Sequence, residues 1–241
     1  MLTVGSLFSG IGGLDLGLER AGMEVIWQSE IDPYGCRVLK KHWPEVVYHG
    51  NIKEINWGDV VRPDIICGGY PCQPFSTAGK RNGTDDPRHL WPWVREAISE
   101  LRPRYAILEN VRGHITLGLS TVLGELAIIG YNAEWQIISA ASVGAPHLRE
   151  RVIIVAYPDI RKIGGRNGWY ATDRSQVFSG RDYDRGTQSY EGGQWWAIEP
   201  DVGRVAHGVP SRVDRLRGLG NAVVPQVAEL IGRMVIDYDT D

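Results

Sequence analysis

The grouping of apolar residues constrains this chain more than any other feature. Between residues 2 and 157 short apolar runs alternate with longer stretches of helical periodicity. Short apolar runs bounded by turn formers suit strands covered on both faces, as in a parallel α/β sheet. The pattern predicts strands at residues 2–7, 24–29, 64–67, 105–108, 131–139 and 151–156, with helices at 12–21, 90–101 and 119–129. It fades at Pro158. Residues 160–203 hold few Leu, Ile, Val or Phe and are rich in Gly, Arg, Asp, Trp and Tyr, so they cannot build a core of their own. They form either a long loop region or a small irregular module resting on the main domain. The six Trp and Tyr residues there (Trp169, Tyr170, Tyr183, Tyr190, Trp195 and Trp196) argue against simple disorder. Helical periodicity returns at 221–236, with Pro225 in the first turn, where a missing N–H is tolerated. The expected organisation is a catalytic and cofactor-binding domain at 1–157, a small irregular region at 158–209 and a segment at 210–241 that rejoins the first domain.

Composition narrows the function classes. The formal net charge is -3, which implies no general polyanion coat, yet 21 of the 26 Lys and Arg residues are arginines. Arginine suits bidentate contacts to phosphate and guanine, although GC-rich coding produces the same bias. The 30 glycines, about 12% of the chain against a usual ~7%, show no repeat period and imply tight turns and close backbone approaches. Cys36, Cys67 and Cys72 have no CxxC spacing, so neither a disulfide framework nor a four-ligand zinc site is expected. No stretch approaches the ~18 apolar residues of a membrane span. A soluble, unprocessed chain in a reducing cytoplasm is the expectation, with no membrane and no metal.

The chemistry-bearing residues cluster where the predicted strands end. The first strand runs into Phe8-Ser9-Gly10-Ile11-Gly12-Gly13 and then a helix, the arrangement of a nucleotide-type cofactor turn. The GxGxxG fit fails because Asp15 takes the place of the third glycine, which argues against a dinucleotide. Glu30 ends the second strand, close to where an acid grips ribose hydroxyls. By itself this pattern reads equally well as a tight βα turn beside a solvated carboxylate. The segment Gly68-Gly69-Tyr70-Pro71-Cys72-Gln73-Pro74-Phe75-Ser76 follows another strand and sets a thiol between two prolines. Cys67, at the end of the strand itself, reads as a small buried hydrophobe. Glu109-Asn110-Val111 comes directly after the strand at 105–108. Arg149-Glu150-Arg151 opens the strand at 151–156, where alternation would send both arginines to one face. A thiol, an acid and two arginines at the ends of separate strands make a site.

With these motifs in order, the chain resembles a DNA cytosine-5 methyltransferase of the bacterial or phage type. Phe8 to Gly13 is similar to that family's S-adenosylmethionine turn, Pro71-Cys72-Gln73 to its nucleophile motif and Glu109-Asn110-Val111 to its catalytic acid. Arg149-Glu150-Arg151 resembles its arginine pair, and Gly220-Asn221-Ala222-Val223 with Pro225 its C-terminal signature. The resemblance implies a Rossmann-like, S-adenosylmethionine-dependent α/β fold with a mostly parallel sheet, plus a small irregular target-recognition region at 158–209.

The resemblance also implies roles. Cys72 would add to carbon 6 of cytosine, protonated Glu109 would stabilise ring nitrogen 3, Arg149 would bind the ring O2 and Arg151 would order the nucleophile loop. The base would be flipped out of the duplex. Phe8, Glu30 and Ile31 would take the adenosine part of the cofactor, with Asn51, Ile52 and Pro71 nearby. Ser9, Gly10, Gly12, Gly13 and Leu14 would surround the methionine part, helped by Asn221, Ala222 and Val223, which would close the C-terminal helix against the first strand. Gln73, Ser76, His147, Arg204, Arg212, Arg215 and Arg217 would face DNA. Two departures stand out: Asn51 replaces the family's usual Asp, and His147 a common Gln. The carbonyl of Asn51 still accepts from an adenine amino group. His147 lacks companions at zinc-ligand spacing.

The expected partner is double-stranded DNA, with a cognate restriction endonuclease as a further partner, and the expected state is a monomer in a bacterial or phage-infected cell. The alternatives are an RNA cytosine-5 methyltransferase on the same scaffold and a catalytically silent DNA-binding homologue.

Overall fold

The computed structural model describes residues 1–71, 90–159 and 212–240, with the backbone alone at Arg212, Arg215, Leu216 and Arg217. Seven strands form one sheet: β1 (Thr3–Leu7), β2 (Glu24–Ser29), β3 (Val47–Tyr48), β4 (Ile65–Gly69), β5 (Tyr105–Val111), β6 (Tyr131–Ile138) and β7 (Arg151–Pro158). Their order is β3-β2-β1-β4-β5-β7-β6. From β3 to β5 every pairing is parallel, whereas β7 runs antiparallel to both β5 and β6. The chain builds outward from β1 to β3, then returns to place β4 on the other side of β1. That reversal opens a crevice beyond the carboxyl ends of β1 and β4, where open α/β sheets bind ligands.

Around the sheet lie α1 (Gly13–Arg20), α2 (Pro33–His42), α3 (Trp91–Leu101), α4 (His114–Leu117), α5 (Leu119–Ile128), α6 (Arg212–Asn221) and α7 (Pro225–Thr240). Period-2 alternation sorts the strands' side chains into two cores. Ile66, Ala106, Leu108, Val152 and Ile154 meet Val94 and Ile98 of α3 and Val122 and Leu126 of α5. Ile65, Cys67, Ile107, Ile153 and Val155 meet Leu14 and Leu18 of α1 and Val227, Ile231 and Val235 of α7. The continuous apolar runs read from the sequence are therefore strands covered on both faces.

Several boundaries differ from the expectation, each for a physical reason. β5 extends through Glu109, Asn110 and Val111 because its ladder with β7 continues there, pairing Glu109 with Ile153 and Val111 with Arg151. Glu109 is thus inside a strand, not after it. Arg149 lies ahead of β7 with φ 33°, so strand alternation does not place it on the face of Arg151. The helix expected at 221–236 begins later, at Pro225, which opens α7, while Asn221 ends α6; the residue before a proline is disfavoured in the helical region. α7 packs on α1, and Val4 of β1 belongs to the same buried core as Val227, Ile231 and Val235. A Cβ on Gly17 would come within 2.4 Å of the Ala228 Cβ, and one on Gly232 within 2.7 Å of the Ala21 Cβ. Neither α2 nor β3 was expected. Asp32 caps α2 by accepting from the amides of Tyr34 and Gly35, with Pro33 at the first position. The irregular region from residue 160 to 209 lies outside the described residues.

Candidate active site

The turn after β1 is shaped by left-handed backbone at Phe8 (φ 52°), Gly10 (φ 58°) and Gly12 (φ 82°). For Phe8 this conformation is strained by about 1–3 kcal/mol, so its surroundings must hold it. The Ser9 amide donates to the Ser29 carbonyl at 3.1 Å and the Gly12 amide to the Ser9 carbonyl at 2.8 Å. Glu30 completes the brace. Its carboxylate accepts from the Gly10, Ile31 and Asp32 amides, each at 2.7 Å, tying the end of β2 to the turn after β1. Gly12 stands at the N-cap of α1 without a side-chain cap. Glycine has no side chain to cap the start of α1, and the helix N-terminus favours an anionic group there.

Beneath the turn, Asp15 is fully buried. It accepts from the Ser6 hydroxyl at 3.1 Å and the Gln28 amide at 2.8 Å. Burial outweighs those hydrogen bonds and pushes its carboxyl up to about 6. Asp15 is thus a tie between β1, β2 and α1. Cys67 is buried as expected, and its surroundings push the thiol up.

Glu109 sits in different company. It is 7% exposed, and Arg151 Nε donates to its Oε1 at 2.6 Å. Burial pushes its carboxyl up against the opposing pull of Arg151 and Arg149. Gly69, its neighbour on β4, leaves the room it occupies: a Cβ there would lie 2.7 Å from Glu109 Oε2. Asn110 reaches across to donate to the Tyr70 carbonyl at 3.0 Å. The Tyr70 hydroxyl meets His114 Nε2 at 2.8 Å, so the backbone leading into Pro71 is braced from two directions.

One cavity of about 610 Å³ joins these parts, a size ordinary for a small-molecule cofactor. It is lined by Phe8, Ser9, Gly10, Gly13, Leu14, Glu30, Ile31, Asn51, Ile52 and Pro71, by Glu109 and Arg151, and by Asn221, Ala222 and Val223. Gly12 lies behind the lining, where a Cβ would meet the Trp43 ring at 2.4 Å. Arg149 is not among the lining residues, and its guanidinium is bound to the carbonyls of Gly220 and Ala222. Asn51 uses its own oxygen to cap a short helical turn at Ile52–Glu54, accepting from the Lys53 amide at 3.2 Å. His147 is exposed on the loop before β7. Cys72, Gln73, Ser76 and Arg204 lie outside the described residues, as do the side chains of Arg212, Arg215 and Arg217 on α6.

Several lining or bracing residues escaped sequence reasoning, Asp32, Gly69, Tyr70 and His114 among them. Asp32 lines the cavity beside Glu30; its Asp-Pro pair is a helix-start signal that could have revealed it. Gly69 and Tyr70 belong to a segment singled out for its cysteine, and nothing in spacing alone marks their part. Among the described residues no group of three or more His, Cys, Asp or Glu could hold a metal ion, and no helix is long and apolar enough to cross a membrane.

The lining fits an adenosine-bearing amino acid cofactor. A carboxylate stands at the end of β2, a helix N-terminus has no side-chain cap, and Ile31 is 65% exposed on the rim, where a flat base would cover it. Together with a mostly parallel sheet carrying one reversed strand, this defines a Rossmann-like fold of the S-adenosylmethionine-dependent methyltransferase class. Residues 2–172 match the C-5 cytosine-specific DNA methylase family, and the chain belongs to that family.

Type II methyltransferase M.NgoFVII of Neisseria gonorrhoeae is 35% identical over 157 residues, 62% of this chain and 42% of that protein. M.BsuFI of Bacillus subtilis is 34% identical over 165 residues, 66% of this chain and 40% of that protein. The chain thus spans less than half the length of these curated relatives. The S. pombe Dnmt2 methyltransferase shares the fold, with a TM-score of 0.67 at 16% identity, covering 99% of this chain and 100% of that one.

Proposed function

We propose that this chain transfers a methyl group from S-adenosylmethionine to carbon 5 of cytosine in duplex DNA. The observation that carries this reading is the meeting of Glu30 and the Glu109–Arg151 pair in one cavity whose wall includes Pro71, the residue before Cys72. When bound, the cofactor supplies an electrophilic methyl group. Glu30 and the α1 N-terminus would hold it, with Phe8 and Ile31 flanking the adenine and Asn221 to Val223 covering the methionine part.

The chain's own residues would act on the base. Cys72 is the nucleophile: its thiolate forms a bond to carbon 6 of the flipped-out cytosine, and the displaced π electrons make carbon 5 nucleophilic. Glu109 delivers a proton to ring nitrogen 3 as charge arrives there, a task suited to a carboxyl held above its ordinary range. Arg151 fixes the carboxylate's position. After carbon 5 has gained the methyl group, with S-adenosylhomocysteine as the other product, it loses its proton to water, the electron pair expels the Cys72 sulfur as thiolate, and ring nitrogen 3 returns its proton to Glu109. No step in this scheme requires a metal.

Gln73, Ser76, His147, Arg204, Arg212, Arg215 and Arg217 are proposed DNA contacts, and residues 158–209 the target-recognition region. A restriction-modification setting with a cognate endonuclease as partner is consistent with the Type II names of the relatives; a monomer, in a bacterial or phage-infected cell, is proposed with it.

The test is adduct formation on duplex DNA containing 5-fluorocytosine, which blocks the final proton loss. A covalent complex is expected with the wild-type chain and none with Cys72→Ser. An adduct that survives Cys72→Ser would overturn the nucleophile assignment. With unmodified substrates and labelled cofactor, methyl transfer confined to RNA would overturn the DNA reading, and DNA binding without transfer to either would mark a silent homologue.

A further inference from the structure

The two arginines of Arg149-Glu150-Arg151 do different work. We infer that Arg149 is a positioning residue that latches the 220–223 segment over the cofactor side of the cavity, while Arg151 is the arginine bonded to Glu109. This rests on the cavity being the cofactor site, as proposed above.

The geometry divides the pair. Arg151 lies in β7, lines the cavity and meets Glu109. Arg149 lies two residues earlier, outside the strand, with φ 33°, a conformation that costs a non-glycine residue free energy and persists only where neighbours impose it. It does not line the cavity. Its Nη2 donates to the Gly220 carbonyl at 2.7 Å and to the Ala222 carbonyl at 2.6 Å. Gly220 is in the last turn of α6 and Ala222 in the break before α7. Carbonyls at a helix C-terminus lack intrahelical partners and attract a cation, and the two N–H bonds of Nη2 serve one carbonyl each.

The segment is held from its other side as well. Val223 is 7% exposed, and its carbonyl oxygen would be 2.4 Å from a Cβ on Gly13. Residues 220–223 therefore pass between the first turn of α1 and the Arg149 guanidinium, and Asn221, Ala222 and Val223 line the cavity. Releasing Arg149 frees the outer side of this wall. Glu109 keeps its bond to Arg151.

The experiment uses the full chain and two variants, Arg149→Ala and Arg149→Lys. Calorimetric titration with S-adenosylmethionine, without DNA, should give about tenfold weaker binding for Arg149→Ala, the loss expected for two charge-assisted hydrogen bonds partly replaced by water. Arg149→Lys should bind about three- to tenfold more weakly, because it keeps the charge but places its nitrogen one bond short of the Nη2 position. Amide hydrogen exchange should quicken at residues 220–224 in both. Single-turnover methylation at saturating cofactor should stay within about threefold of wild type, since a merely ordering residue drops out once the site is filled. Unchanged cofactor affinity with a roughly hundredfold slower single turnover would overturn the proposal and put Arg149 on the reacting base. Unchanged affinity and exchange would overturn the latch outright. Should Arg149→Ala fail to fold, Arg149→Lys carries the same readouts. A wild-type chain that binds no cofactor would instead sink the reading of the cavity, and the exchange experiment would still decide the latch.

Discussion

Glu30 and Glu109 occupy corresponding places at the ends of two parallel strands, β2 and β5, and line the same cavity. Their surroundings are opposite. Glu30 is half-buried and accepts only from backbone amides, at Gly10, Ile31 and Asp32. Glu109 is buried and bonds a single cation, Arg151. Amide donors fix an ionised carboxylate as an acceptor, which is what hydroxyl binding needs. Burial beside one arginine instead lets a carboxyl hold a proton and still keeps it aimed. On the proposed reading, one residue type at one sheet edge would serve binding at one end of the cavity and proton delivery at the other.

The sharpest way to break this comparison is Glu109→Gln. It keeps the shape and removes the transferable proton, so single-turnover methylation should fall by about 10²–10⁴. Cofactor affinity, measured calorimetrically, should stay within about twofold, because Glu30 and the α1 N-terminus are untouched. A loss concentrated in cofactor affinity would show that the two ends of the cavity are not separate.

Asp15 sharpens the comparison by supplying burial with no cation at all. Its folded carboxyl, raised to about 6 from an ordinary 3.8, binds a proton more tightly than the unfolded chain does. Stability it contributes is then fully present below about pH 4 and is lost as pH rises toward 6, by about 3 kcal/mol in total. Asp15→Asn has no proton to lose and keeps an acceptor for Gln28. The unfolding free energy of the variant relative to wild type should therefore rise by about 3 kcal/mol between pH 4 and pH 7 in parallel denaturant titrations. A difference that stays flat with pH would mean that the Ser6 and Gln28 hydrogen bonds already stabilise the ionised form.

What the sequence made legible follows from what each signal measures. Apolar grouping locates strands that are covered on both faces, so the predicted strand at 24–29 coincides with β2, and the glycine turn falls where β1 meets α1. The same signal stops at the first polar residue. It therefore ended β5 before Glu109, although the ladder to β7 carries that acid to the cavity as part of the strand. It also missed β3, two residues on the sheet edge. Alternation put Arg149 and Arg151 together for a reason that does not hold, since Arg149 is outside the strand; both still act electrostatically on Glu109. Reading Asp15 as a missing glycine found the departure but not its consequence, because the partners Ser6 and Gln28 are on two different strands. Contacts of that kind depend on the fold, and no local spacing encodes them.

Glu30→Ala tests the other end of the comparison and carries the smallest expected effect of the three. If Glu30 holds the cofactor, its removal should weaken S-adenosylmethionine binding by about 10- to 100-fold, the range of one or two hydrogen bonds to a charged group. DNA affinity should change by less than about twofold. The complication is that Glu30 also braces the turn by accepting from Gly10, Ile31 and Asp32. Glu30→Gln separates the two roles in part: its remaining carbonyl oxygen can take the place of Oε1 and accept from the Ile31 and Asp32 amides, while its NH₂ can accept neither from the Gly10 amide nor from a hydroxyl. Equal weakening of cofactor and DNA binding by both substitutions would make Glu30 a part of the turn's architecture. A cofactor-selective loss that persists in Glu30→Gln, with hydrogen exchange at Asp32 close to wild type, would leave the carboxylate as the group that grips the ligand.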